Sequence, residues 1–315
     1  MKKKEGFSNM KKTLSNTLFL IATAIWGFAF VAQKAAAIIP AFTVGAIRSL
    51  FAAVFLLIAI PIFDRLTKSE RKLFSRKKII DINRTELIGG LILGVILVVA
   101  SAFQQIGIEG ADAGKAAFIT ALYVVMVPIL SALLGKRPHL NALISAPVAV
   151  VGFYFLCVGK DAALELHDLL ILVCAVIFAA HIITVDHYSP RCDGIRLSFV
   201  QFATAFIINT VVALIFERPI SPSAISEALP SLLFLGILSS GIGYTLQILA
   251  QRGADPTVSA VILSLESVFG VIGAALILGE KMSGREYLGC GIVFVAILLS
   301  QIDVFSLVKK AKKQE

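Results

Sequence analysis

Apolar stretches of about twenty residues follow one another along the whole chain, separated only by short polar connectors. They occupy positions 17–39, 42–63, 87–108, 114–134, 140–159, 168–188, 197–216, 231–250, 257–278 and 287–305. A helix needs about 20 consecutive apolar residues to cross the hydrocarbon core of a bilayer. We therefore predict an all-α integral membrane protein with ten transmembrane helices.

The composition supports this interpretation and excludes soluble and disordered chains. Of the 315 residues, 58% are hydrophobic and 16% are charged, whereas soluble domains average about 45–50% apolar and about 25% charged residues. The first apolar stretch is longer than the apolar core of a signal peptide, which has about 7–15 residues. Only Pro40-Ala41 separates it from the second stretch. We expect a retained first helix and a tight helical hairpin.

The distribution of basic residues predicts an orientation. The net charge of +9 first suggests nucleic acid as a partner, but the Lys and Arg residues lie almost entirely outside the apolar stretches. With a cytoplasmic amino terminus, 22 of the 29 basic residues fall on the cytoplasmic side and 5 on the other. Such an excess is typical of cytoplasmic loops. We predict a multi-pass plasma-membrane protein with cytoplasmic tails at 1–16 and 306–315, in contact with lipids and not with nucleic acid.

An internal repeat divides the chain into two parts. One offset of 143 residues pairs Gly110-Ala111-Asp112 with Gly253-Ala254-Asp255, Gln104 with Gln247, and Tyr123 with Glu266. This predicts two five-helix units, at 17–159 and 160–305. Because five is an odd number, the two units must have opposite orientations in the membrane. Inverted repeats of this kind are typical of secondary transporters.

Three motifs resemble those of EamA-type members of the drug/metabolite transporter superfamily. They are Ile25-Trp26-Gly27-Phe28-Ala29-Phe30, Ala116-Ala117-Phe118-Ile119-Thr120 leading to Val127-Pro128, and Leu265-Glu266-Ser267-Val268-Phe269 followed by Leu278-Gly279-Glu280-Lys281. The resemblance implies ten helices in a 5+5 inverted-topology repeat around a central cavity. It also implies export or exchange of small metabolites. The chain has Ser267 where the family often has Pro, and Lys136 where it often has Glu.

Charged and strongly polar side chains at membrane depth are costly, so they mark candidate functional positions. Glu266 is a candidate for proton coupling, because burial favours the neutral, protonated form of a carboxyl group; alternatively it is a hydrogen-bonded residue that fixes its helix. Arg48 binds an anionic solute, or else it snorkels or pairs structurally, which we favour. Lys34, near the end of the first stretch, is interpreted as an interfacial anchor.

Further candidates are polar and aromatic residues within the apolar stretches, and two of them are paired by the repeat. Gln104 and Gln247 either bind a polar solute or bridge helices. Trp26 and Tyr123 either stack on an organic solute or pack against neighbouring helices. His181 is either a proton relay or a core residue whose hydrogen bonds are satisfied, and we favour the second for a lone histidine. The other candidates for the cavity wall are Gln33, Ser101 and Tyr244.

Several residues are assigned structural roles. Pro128 should kink the fourth span, because proline removes a backbone hydrogen bond. Asp112 and Asp255 are interpreted as N-caps of the spans that follow them. The spacing Gly90-x-x-x-Gly94 predicts a close helix approach.

We predict a secondary transporter that moves a small metabolite, an amino-acid-like or a drug-like solute by alternating access. It acts as an exporter or an exchanger, and transport is either coupled to protons or not. The alternatives are an uncoupled facilitator or channel and, less favoured, a membrane-embedded enzyme. The sequence has no Gly-x-x-x-x-Gly-Lys-Ser/Thr motif for ATP and no HExxH or paired-Asp motif. We expect a small-molecule substrate, no cofactor and no metal. Assembly into a homodimer is left open.

Overall fold

The computed structural model describes residues 2–74, 78, 80–135, 140–157, 165–252, 254 and 256–301. Regular structure in these residues is helical. The first half contains α1 (Lys2–Ala36), α2 (Ala41–Leu66), α3 (Lys68–Leu73), α4 (Arg84–Gly110), α5 (Ala113–Ala121), α6 (Tyr123–Leu133) and α7 (Leu140–Cys157). The second half contains α8 (Leu166–Tyr188), a 3₁₀ turn (Ser189–Arg191), α9 (Gly194–Phe216), α10 (Pro222–Leu233), a π-helical segment (Phe234–Gly243), α11 (Tyr244–Gln251), α12 (Pro256–Leu263), α13 (Glu266–Gly273), a second π-helical segment (Ala274–Leu278) and α14 (Gly284–Gln301).

Eight segments of the described chain are long and apolar enough to cross a membrane. They are Thr13–Ala36, Ala41–Leu66, Arg84–Gly110, Ala113–Leu133, Leu166–Arg191, Gly194–Phe216, Pro222–Gln251 and Pro256–Leu278. The protein is therefore a multi-pass membrane protein, and the regular structure of its described residues is helical. The fifth and tenth predicted stretches correspond to α7 and α14, which have 18 residues each and pack against each other.

The ends of the predicted units fall partly outside this description. The boundary at 159 and 160, the tail at 306–315, Lys136 and the proposed cap Asp255 all lie outside the described residues. At the other end of the chain, α1 already begins at Lys2. Most of the predicted tail 1–16 therefore continues the first helix.

Two carboxylates from distant segments cap the starts of α2 and α5. Glu217 accepts hydrogen bonds from the backbone N–H groups of Phe42 (2.7 Å) and Thr43 (2.8 Å). Glu280 does the same for Ala113 (2.9 Å) and Gly114 (3.0 Å). Free N–H groups at a helix start favour a negatively charged partner. These contacts hold the second half of the chain against the first.

The capping prediction for Asp112 was wrong. Asp112 does occupy the N-cap position of α5, with φ −69° and ψ 144°, but its side chain makes no capping hydrogen bond. The carboxylate of Glu280 instead accepts from Ala113 and Gly114, and the N–H of Gly114 is one that an N-cap side chain usually binds. A contact between positions so far apart leaves no local signal in the sequence.

Lys34 also has a structural partner. Its ammonium group donates to the carbonyl oxygens of Ile108 (3.0 Å), Glu109 (3.1 Å) and Ala111 (2.9 Å). These carbonyls end α4, where a positive charge is favourable. Lys34 therefore ties the end of α1 to the end of α4, instead of serving only as the interfacial anchor that we predicted. The ends of α1 and α4 and the starts of α2 and α5 consequently share one end of the bundle, here named the α1–α2 end.

The fourth and ninth spans are each broken near the middle of the bundle. Leu122 separates α5 from α6. Its N–H donates at 3.2 Å to the carbonyl oxygen of Ile119, which lies three residues earlier. Ser264 and Leu265 separate α12 from α13, and the N–H of Leu265, 143 residues after Leu122, donates to the carbonyl oxygen of Ile262 at 3.2 Å. Leu122 and Leu265 have nearly the same dihedral angles, φ −61° and ψ −13° against φ −60° and ψ −15°. A single 3₁₀-like turn thus interrupts each span.

The break in the fourth span does not lie at Pro128, where we predicted a kink. Helix α6 continues through Pro128, and the interruption at Leu122 lies ahead of it. The ninth span has Val271 at the position that corresponds to Pro128, yet it breaks at the equivalent residue. The break therefore has a cause other than the missing N–H of proline.

The predicted close approach at Gly90 and Gly94 is present, between α4 and α9. A Cβ atom added to Gly90 would lie 2.4 Å from the Cβ of Val200, and one added to Gly94 would lie 2.6 Å from the Cβ of Thr204. Neither side chain could fit without separating the helices. The two glycines therefore set the distance between α4 and α9.

Candidate functional site

A cavity in the middle of the bundle lies beside both helix breaks. Its walls come from α1, α2, α4, α5, α6, α8, α11, α12, α13 and the first π-helical segment. The lining residues are Trp26, Ala29, Phe30, Gln33, Arg48, Gln104, Thr120, Tyr123, Phe178, His181, Ile182, Ser239, Tyr244, Gln247, Leu263 and Glu266. Nine of the ten candidates from the sequence line this one cavity, and only Ser101 does not.

The residue pairs of the 143-residue offset meet at this cavity. Gln104 and Gln247 both line it, and so do Tyr123 and Glu266. Tyr123 and Glu266 are the first residues of α6 and α13, immediately after the two breaks. The hydroxyl of Tyr123 is buried and has no hydrogen-bond partner among the described residues. The helix breaks thus place a carboxyl group and a phenol in the lining of the same interior cavity.

Aromatic rings form one wall of the cavity around Tyr244. The ring of Trp26 lies 4.7 Å from that of Tyr244 at an interplanar angle of 54°, while His181 approaches it edge-on at 5.7 Å. The indole N–H of Trp26 donates to the carbonyl oxygen of Ser239 at 3.1 Å. Trp26 therefore packs in a fixed orientation and also offers ring surface to the cavity.

Arg48 is buried in the bundle and does not snorkel. Its Nε donates to the hydroxyl of Ser240 at 3.1 Å and its Nη2 to the hydroxyl of Ser239 at 3.4 Å. Both serines belong to the first π-helical segment. The structural pairing that we favoured is thus present, and the guanidinium group still lines the cavity.

The amides and the histidine differ in how far their hydrogen bonds are satisfied. His181 Nε2 lies 3.1 Å from Oε1 of Gln201, as a satisfied core histidine requires. Gln104 donates to the hydroxyl of Thr120 at 3.2 Å and so bridges α4 and α5. The side-chain oxygens of Gln33 and Gln247 are buried and have no hydrogen-bond partner among the described residues. They are acceptors that a bound molecule or water can use.

Ser101 is the candidate that the structure places elsewhere. Its hydroxyl donates to the carbonyl of Leu97 in the same helix. It lines a smaller neighbouring cavity together with Arg48. Only Arg48 is common to both cavities.

Sequence reasoning missed Thr120, Phe178 and Ser239 as lining residues. Ser239 and Ser240 are adjacent hydroxyl residues in an apolar stretch, and this was a usable signal. The π-helical geometry that turns them toward α2 has no comparable sequence signature. Within the described part of the chain, no group of three or more His, Cys, Asp or Glu residues could hold a metal ion.

A family model matches both halves of the chain. The model of the EamA-like transporter family matches residues 13–158 and 166–301. The chain belongs to the EamA-like transporter family. The resemblance seen in the Trp26, Val127-Pro128 and Glu266 motifs is thereby confirmed, and this EamA-like protein is a membrane transporter.

Two further comparisons agree with the assignment. An uncharacterized transporter of Archaeoglobus fulgidus is 29% identical over 216 residues, which cover 68% of this chain and 69% of the relative. A solved crystal structure of a protein superposes with a TM-score of 0.65 at 15% identity, covering 91% of the EamA-like chain and 96% of the other. At that identity the superposition shows a shared fold alone.

Proposed function

We propose that this protein is a secondary transporter whose ten transmembrane helices form two five-helix units of opposite orientation around the central cavity. The matches at 13–158 and 166–301 support two units. So do the equivalent breaks at Leu122 and Leu265. Gly135 and Gly279, at positive φ of 83° and 68°, end the equivalent spans.

Helices α7 and α14 complete the count as the fifth and tenth spans. Each has 18 residues, which corresponds to a length of about 27 Å at 1.5 Å per residue. That is close to the hydrocarbon thickness of about 30 Å. In this arrangement the amino terminus is cytoplasmic and the protein lies in the plasma membrane, as the basic residues predict.

The observation that carries the proposal is the cavity beside two broken helices. Secondary transporters bind solutes near the membrane midplane, where interrupted helices supply polar groups. The cavity combines the carboxyl of Glu266, the guanidinium of Arg48, amides, and the rings of Trp26 and Tyr244. Rocking of one unit against the other exposes such a site to each side in turn.

The polar groups favour a small amino-acid-like or drug-like solute with hydrogen-bond donors. The unpaired oxygens of Gln33 and Gln247 accept hydrogen bonds, and so does the carboxyl of Glu266 when it is ionised. Arg48 offers donors to an anionic group. An amine or ammonium group on the solute satisfies the acceptors, and the aromatic wall packs against its apolar part.

Proton coupling follows from competition for Glu266. A proton and a solute amine cannot both occupy the same carboxylate, so a proton that binds from one side displaces the solute at that side. Such competition drives export or exchange against a proton gradient. It needs no ATP and no cofactor. An uncoupled facilitator lacks this dependence, which makes the two alternatives separable.

The test uses purified protein in sealed liposomes with an imposed pH gradient and a panel of labelled amino acids and amines. We expect flux that rises with the gradient in the wild type. In Glu266→Gln the flux should fall to the level seen without a gradient. The matched control is Glu227→Gln, on the exposed face of α10, which should keep the gradient dependence.

Two results would count against parts of the proposal. If Glu266→Gln responds to the gradient as the wild type does, Glu266 is not the coupling group. If the wild type moves no member of the panel in either direction, the transport assignment of this cavity loses its support.

A further inference from the structure

Open spaces form a row from the central cavity to the α1–α2 end of the bundle. A small chamber between α2, α4 and α9 is lined by Gly45, Ser101, Gln105 and Asn209. It shares Arg48 with the central cavity and Ala41 with a groove on the surface of that end. The three spaces therefore follow one another, with Arg48 at the inner junction.

The chamber is more polar than a space between packed membrane helices needs to be. The side-chain oxygen of Gln105 is buried without a hydrogen-bond partner among the described residues, while its amide nitrogen donates to the carbonyl of Gln33 at 3.1 Å. Leaving a buried polar atom unpaired is costly. A hydrated or solute-carrying passage removes this cost, whereas a purely structural contact does not.

Arg48 is held in a way that allows it to move. Its guanidinium group is bound by two neutral hydroxyls, of Ser239 and Ser240. Among the described residues it forms no ion pair, in contrast to Arg196, which pairs with Asp64 and Asp193. An anionic acceptor adds Coulomb attraction to the guanidinium charge, which a neutral hydroxyl does not supply. An anionic group on a solute can therefore draw Arg48 away from the two serines.

We propose that solute passes between the central cavity and the α1–α2 end through the chamber between α2, α4 and α9, and that Arg48 is the gate at its inner end. With Arg48 on Ser239 and Ser240, its side chain closes the junction between cavity and chamber. Release from the serines opens it. This inference rests on the proposed transport function for the identity of what passes, but the route can be measured without any substrate.

The experiment measures cysteine accessibility in sealed vesicles that contain the full-length protein. The four native cysteines are first replaced by alanine. Ser101→Cys reports on the chamber and Gln104→Cys on the central cavity, while Ala100→Cys, fully buried in the same helix, is the matched control. A membrane-impermeant cationic methanethiosulfonate reagent is added to each side in turn.

We expect Ser101→Cys to react from one side only. Gln104→Cys should react slowly from that side when Arg48 is present, and about tenfold faster after Arg48→Ala, because thiol modification depends on access. The double variant Ser239→Ala/Ser240→Ala should speed the reaction in the same direction, since it frees Arg48 without removing it. Ala100→Cys should stay unreactive in every background.

The outcomes against the proposal are equally definite. The route is wrong if Ser101→Cys reacts from neither side, or if Gln104→Cys in the Arg48→Ala background does not react from the side at which Ser101→Cys reacts. The gate is wrong if neither Arg48→Ala nor the double serine variant changes the rate at Gln104→Cys. A failure of solute uptake in the same vesicles would instead count against the proposed function, and it would leave the accessibility result standing.

Discussion

Charges inside the bundle illustrate how single residues stabilise it. The guanidinium group of Arg196 is buried and makes two hydrogen bonds to the carboxylate of Asp64, at the far end of α2. Asp193 approaches the same guanidinium at 3.3 Å and also caps the start of α9. Bidentate pairs of this kind are strong and geometrically specific. The pair therefore connects α2 to α9 at the end of the bundle opposite to the α1–α2 end.

Removing one partner of this pair should be costly. In Asp64→Asn the buried guanidinium of Arg196 loses its bidentate carboxylate partner, so we expect a loss of about 3 kcal/mol in stability. Thermal unfolding of the purified protein in detergent measures the change. Asp112→Asn is the control, because that carboxylate is exposed and makes no capping bond. An unfolding midpoint for Asp64→Asn equal to that of the control would contradict the role of the pair.

At the scale of helices, the approach of α1 to α13 positions the central carboxyl group. A Cβ atom on Gly27 would lie 2.8 Å from the carbonyl oxygen of Glu266 and 2.8 Å from the backbone nitrogen of Gly270. Backbone atoms of a packed helix cannot yield as the end of a flexible side chain can. Gly27 thus sets the distance between Trp26, its neighbour in sequence, and Glu266.

Gly27→Ala should therefore push α1 away from α13 and displace Glu266 relative to Trp26. We expect a loss of about 1–3 kcal/mol in stability, as for other overpacked sites, and a marked fall in solute flux. Gly114→Ala is the matched control, because its nearest neighbour would be at 3.4 Å, an ordinary contact distance. Thermal unfolding and liposome flux are measured on both variants. Equal behaviour of the two would show that the approach at Gly27 is not limiting.

The helices were the easier part to predict from the sequence, because apolar runs and their short connectors are local signals. Nine candidate residues of the cavity could be predicted for a related reason: polar and aromatic side chains within apolar spans point to an interior site, and a fixed offset pairs four of them. The capping of α5 by Glu280 joins residues 167 positions apart, and the break at Leu122 occurs without a proline at that position. The cap depends on a tertiary contact, which no local pattern records.

At the scale of the whole molecule, the two halves are joined by carboxylates at the α1–α2 end. Glu217 and Glu280 both belong to the second half, and both cap helices of the first half, α2 and α5 respectively. Any rocking of one half against the other that opens this end must stretch or break these caps. The packing of the two halves at this end is therefore stabilised by the two caps, because the starts of α2 and α5 lose their acceptors when the halves separate there.

Removing each cap should affect only the helix that it serves. We expect Glu280→Ala to cost about 1 kcal/mol, the usual value of a cap, and to speed hydrogen–deuterium exchange in residues 113–121. Glu217→Ala should instead speed exchange at the start of α2 and leave α5 unchanged. Glu227→Ala, on the exposed face of α10, should change neither. Exchange followed by mass spectrometry distinguishes these patterns. Uniform acceleration in all three variants would indicate general destabilisation, and it would contradict the view that these two contacts separately stabilise the starts of α2 and α5.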